Sequence, residues 1–185
     1  MNKDNTNLSV SRMTMISLMA AVICVLGPLA IPIPLSPVPI SFTNLAIFFA
    51  VCLLGKKSGT ISYLVYLALG LIGLPVFSGF TSGFGKLAGP TGGYLIGMIF
   101  TAFIAGLSFE KYKNPVLIFF GLVLGTGLSY VFGTVWLCIV AHLSPLQGLL
   151  LGVLFYIPGD LIKIIIAVIL GPLLKKRIQS AGINL

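Results

Sequence analysis

A carboxylate and an ammonium group lie three residues apart in an otherwise uncharged apolar stretch of this chain. Asp160 and Lys163 belong to the segment Tyr-Ile-Pro-Gly-Asp-Leu-Ile-Lys, within residues 146–174, which carry no other charge. Residues at positions i and i+3 share one face of a helix, with Cβ atoms about 5–6 Å apart. The two groups can neutralise each other or jointly hold a polar ligand. Because isolated charges in hydrocarbon are costly, an ionisable pair in such a stretch predicts a functional site.

The composition of the chain is typical of an integral membrane protein. Of its 185 residues 58% are hydrophobic and 8% are charged, whereas soluble domains contain about 25% charged residues. A spanning helix needs about 20 apolar residues, so the chain has room for about six. The apolar runs lack the alternation of barrel strands. We therefore expect an all-α, multi-pass membrane protein, with residues 1–185 forming one integral membrane domain.

The apolar runs and the loops between them predict a bundle of six transmembrane helices. The first four spans are expected at about residues 13–30, 38–54, 58–77 and 92–109. The fifth lies within residues 115–143, and the sixth ends at residue 174.

The basic residues predict which end of the bundle faces the cytoplasm. The loops on one side carry only Lys86 and the neutral His142. Nine of the 11 basic residues flank the opposite ends of the spans, and these are Lys3, Arg12, Lys56, Lys57, Lys111, Lys113, Lys175, Lys176 and Arg177. By the positive-inside rule both termini are cytoplasmic. The net charge of +8 is therefore read as a topology signal, and we expect no nucleic-acid partner.

The residues required for catalysis or metal binding are scarce. The chain has one histidine, three acidic residues and three dispersed cysteines, too few for a metal cluster or a catalytic triad. The glycine-rich stretch at 79–87 departs from a phosphate-binding loop, because Leu87 occupies the position of the required Ser or Thr. We expect no enzyme activity, no cofactor and no metal site.

The remaining polar residues suggest a binding pocket on the outer side. Counting 1.5 Å per residue back from Lys175 places Asp160 in the outer third of the membrane. A proline-rich loop at 31–41 and a glycine-rich loop at 77–94 lie on the same side, where they are expected to cover the pocket, the alternative being ordinary solvent loops. Asp160 can accept hydrogen bonds from ligand N–H groups and Lys163 can pair with a ligand oxygen. Five residues could add neutral partners, namely Ser41, Thr43, Asn44, Ser78 and Thr91. The predicted ligand is small, mainly apolar and polar at one or both ends; on the residues alone, a structural ion pair remains the alternative.

Two ridges of small residues run along the first span. Ser17 with Ala21, and Ala20 with Cys24, are each spaced by four residues. Such spacing lets helix backbones approach closely. The ridges could serve packing within the bundle or docking to another membrane protein.

Four sequence segments together resemble one known family. They are Pro-Val-Pro-Ile at 37–40, Gly-Leu-Pro-Val-Phe-Ser-Gly at 73–79, Gly-Pro-Thr-Gly-Gly-Tyr-Leu-Ile-Gly at 89–97 and the segment at 156–163. Over residues 20–170 the chain resembles the BioY family, the biotin-specific substrate-binding S components of energy-coupling-factor (ECF) transporters. The resemblance implies a six-helix subunit of a prokaryotic cell membrane that captures biotin from outside with high affinity. It also implies partners, a transmembrane T component and two cytosolic ABC-type ATPases.

The resemblance also implies which residues bind biotin. The expected set is Asp160, Lys163, Asn44, Thr43, Ser41, Phe77, Ser78, Gly79, Thr91, Gly92, Tyr94 and Tyr156. Asp160 is expected on the ureido N–H groups. Where the family pattern is Thr-x-Gln-Thr, this chain has Ser-Phe-Thr-Asn at 41–44, so Thr43 or Asn44 would replace the glutamine amide.

The family's docking helix implies a role for the small-residue ridges. Contact with the T component is expected at Ser17, Ala20, Ala21 and Cys24. Two other functions remain open, a self-sufficient biotin carrier that needs no ATPase and a non-transport membrane scaffold with a structural Asp160–Lys163 pair.

Overall fold

The structure, a computed structural model, describes residues 10–34 and 36–181 as a helical bundle, which confirms the predicted all-α class. The predicted cytoplasmic residue Lys3 lies outside the described part. In chain order the helices are α1 Val10–Leu26, α2 Thr43–Leu71, α3 Phe84–Ala88, α4 Gly92–Lys111, α5 Pro115–Ala141, α6 Pro145–Leu149 and α7 Ile157–Ser180. A π-helical turn, Leu150–Leu154, follows α6, and two short strands, β1 Ala30–Ile31 and β2 Ile40–Ser41, pair antiparallel. Among the described residues, four helices, α2, α4, α5 and α7, have the length and apolar composition needed to cross a membrane.

The long helix α2 consists of two arms that fold back on each other at Gly55. Gly55 has φ 78° and ψ 176°, a conformation that favours glycine. A Cβ atom on Gly59 would lie 2.6 Å from the Cα of Val51, although residues eight positions apart in a straight helix are separated by about 12 Å. The two arms correspond to the predicted second and third spans. The count of six membrane crossings and the side on which the termini lie stay predictions.

Several predicted cytoplasmic residues meet at the end of the bundle that contains Gly55. The Lys56 ammonium lies 3.2 Å from the Glu110 carboxylate, which also accepts the backbone N–H of Lys56 at 2.8 Å. Arg12 donates to the Ser58 hydroxyl at 2.7 Å. These contacts join the start of α1, the turn of α2 and the end of α4 into one basic end.

Two loops close the opposite end. In the hairpin between α1 and α2, Ala30 pairs with Ser41 and Ile31 pairs with Ile40. The glycine-rich loop is tied to the neighbouring helix ends, since Gly79 donates its backbone N–H to Pro28 and Gly83 donates to Gly70. The loops predicted to cover a pocket therefore share one end of the molecule.

The apolar run at 146–174 is not one helix. The helix is interrupted after the π-helical turn, and α7 begins at Ile157 with Pro158 in its first turn. Proline is well suited to this position because its missing N–H group has no helical partner there. The helix that carries the charge pair therefore begins three residues before Asp160. The helix continues past residue 174 to Ser180, so the predicted end of the sixth membrane span lies within α7 and stays a prediction.

The orientation of the bundle can be tested with single cysteines in a background that lacks Cys24, Cys52 and Cys138. Lys57 is exposed at the basic end and Thr81 is exposed in the glycine-rich loop. In intact cells, an impermeant thiol reagent added outside should label Thr81→Cys and leave Lys57→Cys unlabelled until the membrane is permeabilised. The reverse pattern would overturn the predicted cytoplasmic location of the basic end and with it the outward-facing pocket.

Candidate functional site

A cavity lies at the loop-covered end of the bundle, between the hairpin and helices α2, α4, α5 and α7. It encloses about 710 Å³ of atom-free space, a volume that includes a part open to solvent. Nine of the twelve predicted binding residues line it, and they are Ser41, Thr43, Asn44, Ser78, Thr91, Tyr94, Tyr156, Asp160 and Lys163.

Asp160 accepts hydrogen bonds from three elements of the bundle. Its side chain is in the first turn of α7, where the helix dipole favours negative charge, and the residue is 8% exposed. Oδ1 accepts from the Lys163 ammonium at 2.9 Å and from the Asn44 amide at 2.8 Å. Oδ2 accepts from the Tyr130 hydroxyl at 2.6 Å. A carboxylate has about four acceptor positions, so one position on Asp160 stays available to a ligand.

Lys163 has acceptors for all of its protons within the protein. An ammonium group has three N–H donors. Lys163 donates to Asp160 at 2.9 Å, to the backbone oxygen of Ser41 at 2.7 Å and to the Asn44 side-chain oxygen at 3.2 Å. No N–H of Lys163 is unbonded in this arrangement, so its pairing with a ligand oxygen, which stays a prediction, would require one of these bonds to be exchanged. Lys163 neutralises Asp160 and holds the start of α2 against α7.

Asn44 is better placed than Thr43 to replace the glutamine amide of the family pattern. It lies at the start of α2, is 5% exposed and contacts both members of the charge pair. Thr43 contacts neither member of the charge pair through a hydrogen bond. Its hydroxyl oxygen accepts a hydrogen bond from the Ser41 hydroxyl at 3.1 Å. Of the two candidates for the amide role, Asn44 is the residue in contact with Asp160 and Lys163.

The proline-rich loop is fastened over the cavity by Tyr156. The hydroxyl groups of Ser36 and Tyr156 lie 2.5 Å apart, and Tyr156 donates to the backbone oxygen of Val38. Ser36 in turn donates to the backbone oxygen of Leu151 at 2.8 Å. These bonds join the loop to the segment that leads into α7. The predicted covering role of this loop agrees with its position.

The glycine-rich loop forms a second edge of the cavity. Lys86 donates to the backbone oxygen of Ser78 at 3.2 Å, and the Thr91 hydroxyl donates to the backbone oxygen of Lys86 at 3.4 Å. Burial lowers the pKa of Lys86. This lysine therefore braces two residues that line the cavity.

Three predicted binding residues, Phe77, Gly79 and Gly92, are not among the residues that line the cavity. Phe77 is fully buried and packs edge-on against Tyr66, with ring centroids 5.6 Å apart. Gly79 adopts φ 75° and belongs to the loop that is bonded to the end of α1. A Cβ atom on Gly92 would lie 1.6 Å from the backbone oxygen of Leu87. These residues shape the loops, and none of them lines the cavity.

Sequence reasoning missed the polar face of α5. Thr126, Ser129 and Tyr130 line the cavity, and Tyr130 binds Asp160 directly. Their spacing of i, i+3 and i+4 places them on one helix face. That spacing within a long apolar run was a usable signal of a polar surface turned towards the bundle interior.

The two small-residue ridges of α1 face different surroundings. Ser17 and Ala21 are exposed, whereas Ala20 is 2% exposed and Cys24 is half-buried. The Ala20 side chain packs inside the bundle, so the prediction that it contacts a partner is corrected. Ser17 and Ala21, and Cys24 in part, remain accessible to a neighbouring protein.

No metal site was predicted. Within residues 10–34 and 36–181, no group of three His, Cys, Asp or Glu side chains could hold a metal ion.

Comparison with known proteins shows one consistent similarity. The BioY family model matches residues 1–180. "Biotin transporter BioY" of Lactococcus lactis subsp. cremoris is 41% identical over 178 residues, covering 92% of this chain and 94% of that protein. The protein of the same description from Thermotoga maritima is 38% identical over 146 residues, covering 79% of this chain and 86% of its own length. The crystal structure of an S component for biotin from an ECF-type ABC transporter is 38% identical, with a TM-score of 0.84 and coverage of 94% of this chain and 95% of that one.

Proposed function

Because the chain belongs to the BioY family, we propose that it binds biotin in the cavity around Asp160 and mediates biotin uptake across a prokaryotic cell membrane. The observation that carries this proposal is the environment of the Asp160 carboxylate. It is buried, is neutralised by Lys163 and retains one unused acceptor position beside the cavity that Asp160 lines.

The chemistry of biotin fits this arrangement. Its ureido group has two N–H donors and one carbonyl oxygen, its fused bicycle is apolar, and its valerate chain ends in a carboxylate. An ionised carboxylate is a stronger acceptor than a neutral oxygen, so Asp160 is the natural partner of a ureido N–H. Tyr94, Leu95, Met98 and Tyr156 line the same cavity and offer apolar surface to the bicycle and the chain.

The same family membership supports a multisubunit transporter. We infer that the chain is the S component of an ECF transporter and works with a transmembrane T component and two cytosolic ABC-type ATPases. The exposed Ser17 and Ala21 of α1 offer a surface of small side chains on which a helix of the T component can pack closely.

If Ser17 and Ala21 form the docking surface, a substitution there should impair assembly with the T component and leave biotin binding intact. In Ala21→Trp a bulky side chain on the exposed ridge should sharply lower co-purification of the co-expressed T component and ATPases, with biotin binding by the isolated subunit unchanged. Leu18→Trp is the matched control, since Leu18 is already large and is 55% exposed on the same helix. Full assembly with Ala21→Trp would place the docking surface elsewhere. Ala20→Trp is unsuitable because it would disrupt packing inside the bundle.

Two other functions are separated by simple measurements. A self-sufficient biotin carrier would show uptake in cells that lack the T component and the ATPases. A non-transport scaffold would show no binding in a biotin titration of the purified protein in detergent. Binding together with partner-dependent uptake is the result expected here.

A further inference from the structure

One hydroxyl group on the wall of the cavity has no hydrogen-bond partner. Tyr66, in the second arm of α2, is 0% exposed and lines the cavity. Within the described ranges its hydroxyl oxygen has no partner at hydrogen-bond distance and angle. A buried hydroxyl without a partner destabilises a folded protein, so such groups are rare and require an explanation.

Other hydroxyl groups on the same wall are bonded to the protein. Tyr94 donates to the backbone oxygen of Gly152 at 2.8 Å, and Thr101 donates to that of Gly125 at 2.7 Å. Tyr130 donates to Asp160. The protons of these groups are already used, whereas the proton of Tyr66 is free to bond a molecule that enters the cavity.

Tyr63 provides a direct comparison with Tyr66. It lies three residues earlier on the same arm, is equally buried, and has its ring centroid 5.6 Å from that of Tyr66. Its hydroxyl donates to the backbone oxygen of Leu95 at 2.6 Å. The two tyrosines share a helix and a degree of burial, and they differ in whether the hydroxyl has a partner.

The position of the Tyr66 side chain is fixed by its neighbours. Phe77 packs edge-on against its ring, and a Cβ atom on Gly27 would lie 2.9 Å from its hydroxyl oxygen. Thr43 lies beside the Tyr66 hydroxyl and accepts from Ser41, but it is outside hydrogen-bond geometry with Tyr66. A fixed donor loses little conformational freedom when it binds, which favours its use in recognition.

A ligand with oxygen acceptors needs donors that the charge pair does not supply. All three protons of Lys163 are bonded within the protein. We propose that the Tyr66 hydroxyl is a ligand-binding group that donates a hydrogen bond to an oxygen acceptor of the bound molecule. This inference rests on the proposed function, for which the acceptor is the ureido carbonyl or the carboxylate of biotin.

Tyr66→Phe tests the proposal, with Tyr63→Phe as the matched control. Binding of biotin to each purified variant in detergent is measured by titration, and the thermal midpoint is measured without biotin. Tyr66→Phe should weaken binding about tenfold and leave the midpoint unchanged or raised, because an unpaired hydroxyl is removed. Tyr63→Phe should lower the midpoint and leave biotin affinity unchanged.

Two analogues of biotin identify the acceptor and exclude an effect of cavity shape. One is 2-iminobiotin, which replaces the ureido carbonyl oxygen, and the other carries a methyl group in place of the carboxylate. The loss caused by Tyr66→Phe should disappear with one of them. Unchanged biotin affinity in Tyr66→Phe, or an equal loss with biotin and both analogues, would overturn the proposal. A wild-type protein that does not bind biotin would instead overturn the proposed function.

Discussion

Asp160→Asn is expected to weaken biotin binding by at least about 100-fold. The substitution leaves Lys163 as an uncompensated buried charge, a change that costs about 3–5 kcal/mol. An asparagine side chain also has a single acceptor oxygen, whereas Asp160 accepts from Lys163, Asn44 and Tyr130 before any ligand is bound. Titration of the purified variant with biotin measures the loss.

Glu110→Gln is the matched control for this experiment. Glu110 is an acidic side chain at the basic end of the bundle, where it is bonded to Lys56. The chemical change is the same but is remote from the cavity, so biotin affinity should stay at the wild-type value. Wild-type affinity in Asp160→Asn would show that the carboxylate has no part in binding.

Lys163→Met should have an effect of similar size for the opposite reason. It removes the cation that neutralises Asp160 and releases the Ser41 and Asn44 oxygens that Lys163 holds. An unpaired buried carboxylate is unfavourable, so both the thermal midpoint and the biotin affinity should fall. The midpoint is followed by thermal unfolding in detergent and the affinity by titration.

The double variant Asp160→Asn/Lys163→Met separates a structural ion pair from a binding site. Without either charge, the thermal midpoint should recover relative to the single variants. Biotin binding should stay lost, because the acceptor for the ureido N–H is still missing. A double variant that binds biotin like the wild type would show that the pair serves only to hold α7 against α2.

Periodicity and charge predicted the helical class but not every boundary. The predicted break between the second and third spans corresponds to the reversal at Gly55, because Lys56 and Lys57 follow it directly and glycine permits the positive φ. The interruption before Ile157 was not foreseen as a short helix and a π-helical turn. In an apolar run of constant hydropathy, the sequence does not show where the backbone hydrogen bonds change from an α-helical to a π-helical pattern.

Most of the residues that the sequence predicted for the candidate site line the cavity, but the sequence did not predict which of them are hydrogen-bonded to each other. Asp160 and Lys163 stood out because charges are rare in apolar spans. The use of all three Lys163 protons depends on Ser41 and Asn44, which are more than 100 positions away in sequence and meet Lys163 only in the folded bundle. For the same reason, Tyr130 was recognisable as part of a polar face but not as a partner of Asp160.

Isothermal titration of the purified wild-type chain with biotin in detergent shows whether the chain binds biotin at all. We expect saturable binding of one biotin per chain with a dissociation constant below about 1 µM, equivalent to a binding free energy of about −8.2 kcal/mol or better. Folded protein that shows no saturable binding of biotin would contradict the proposed function.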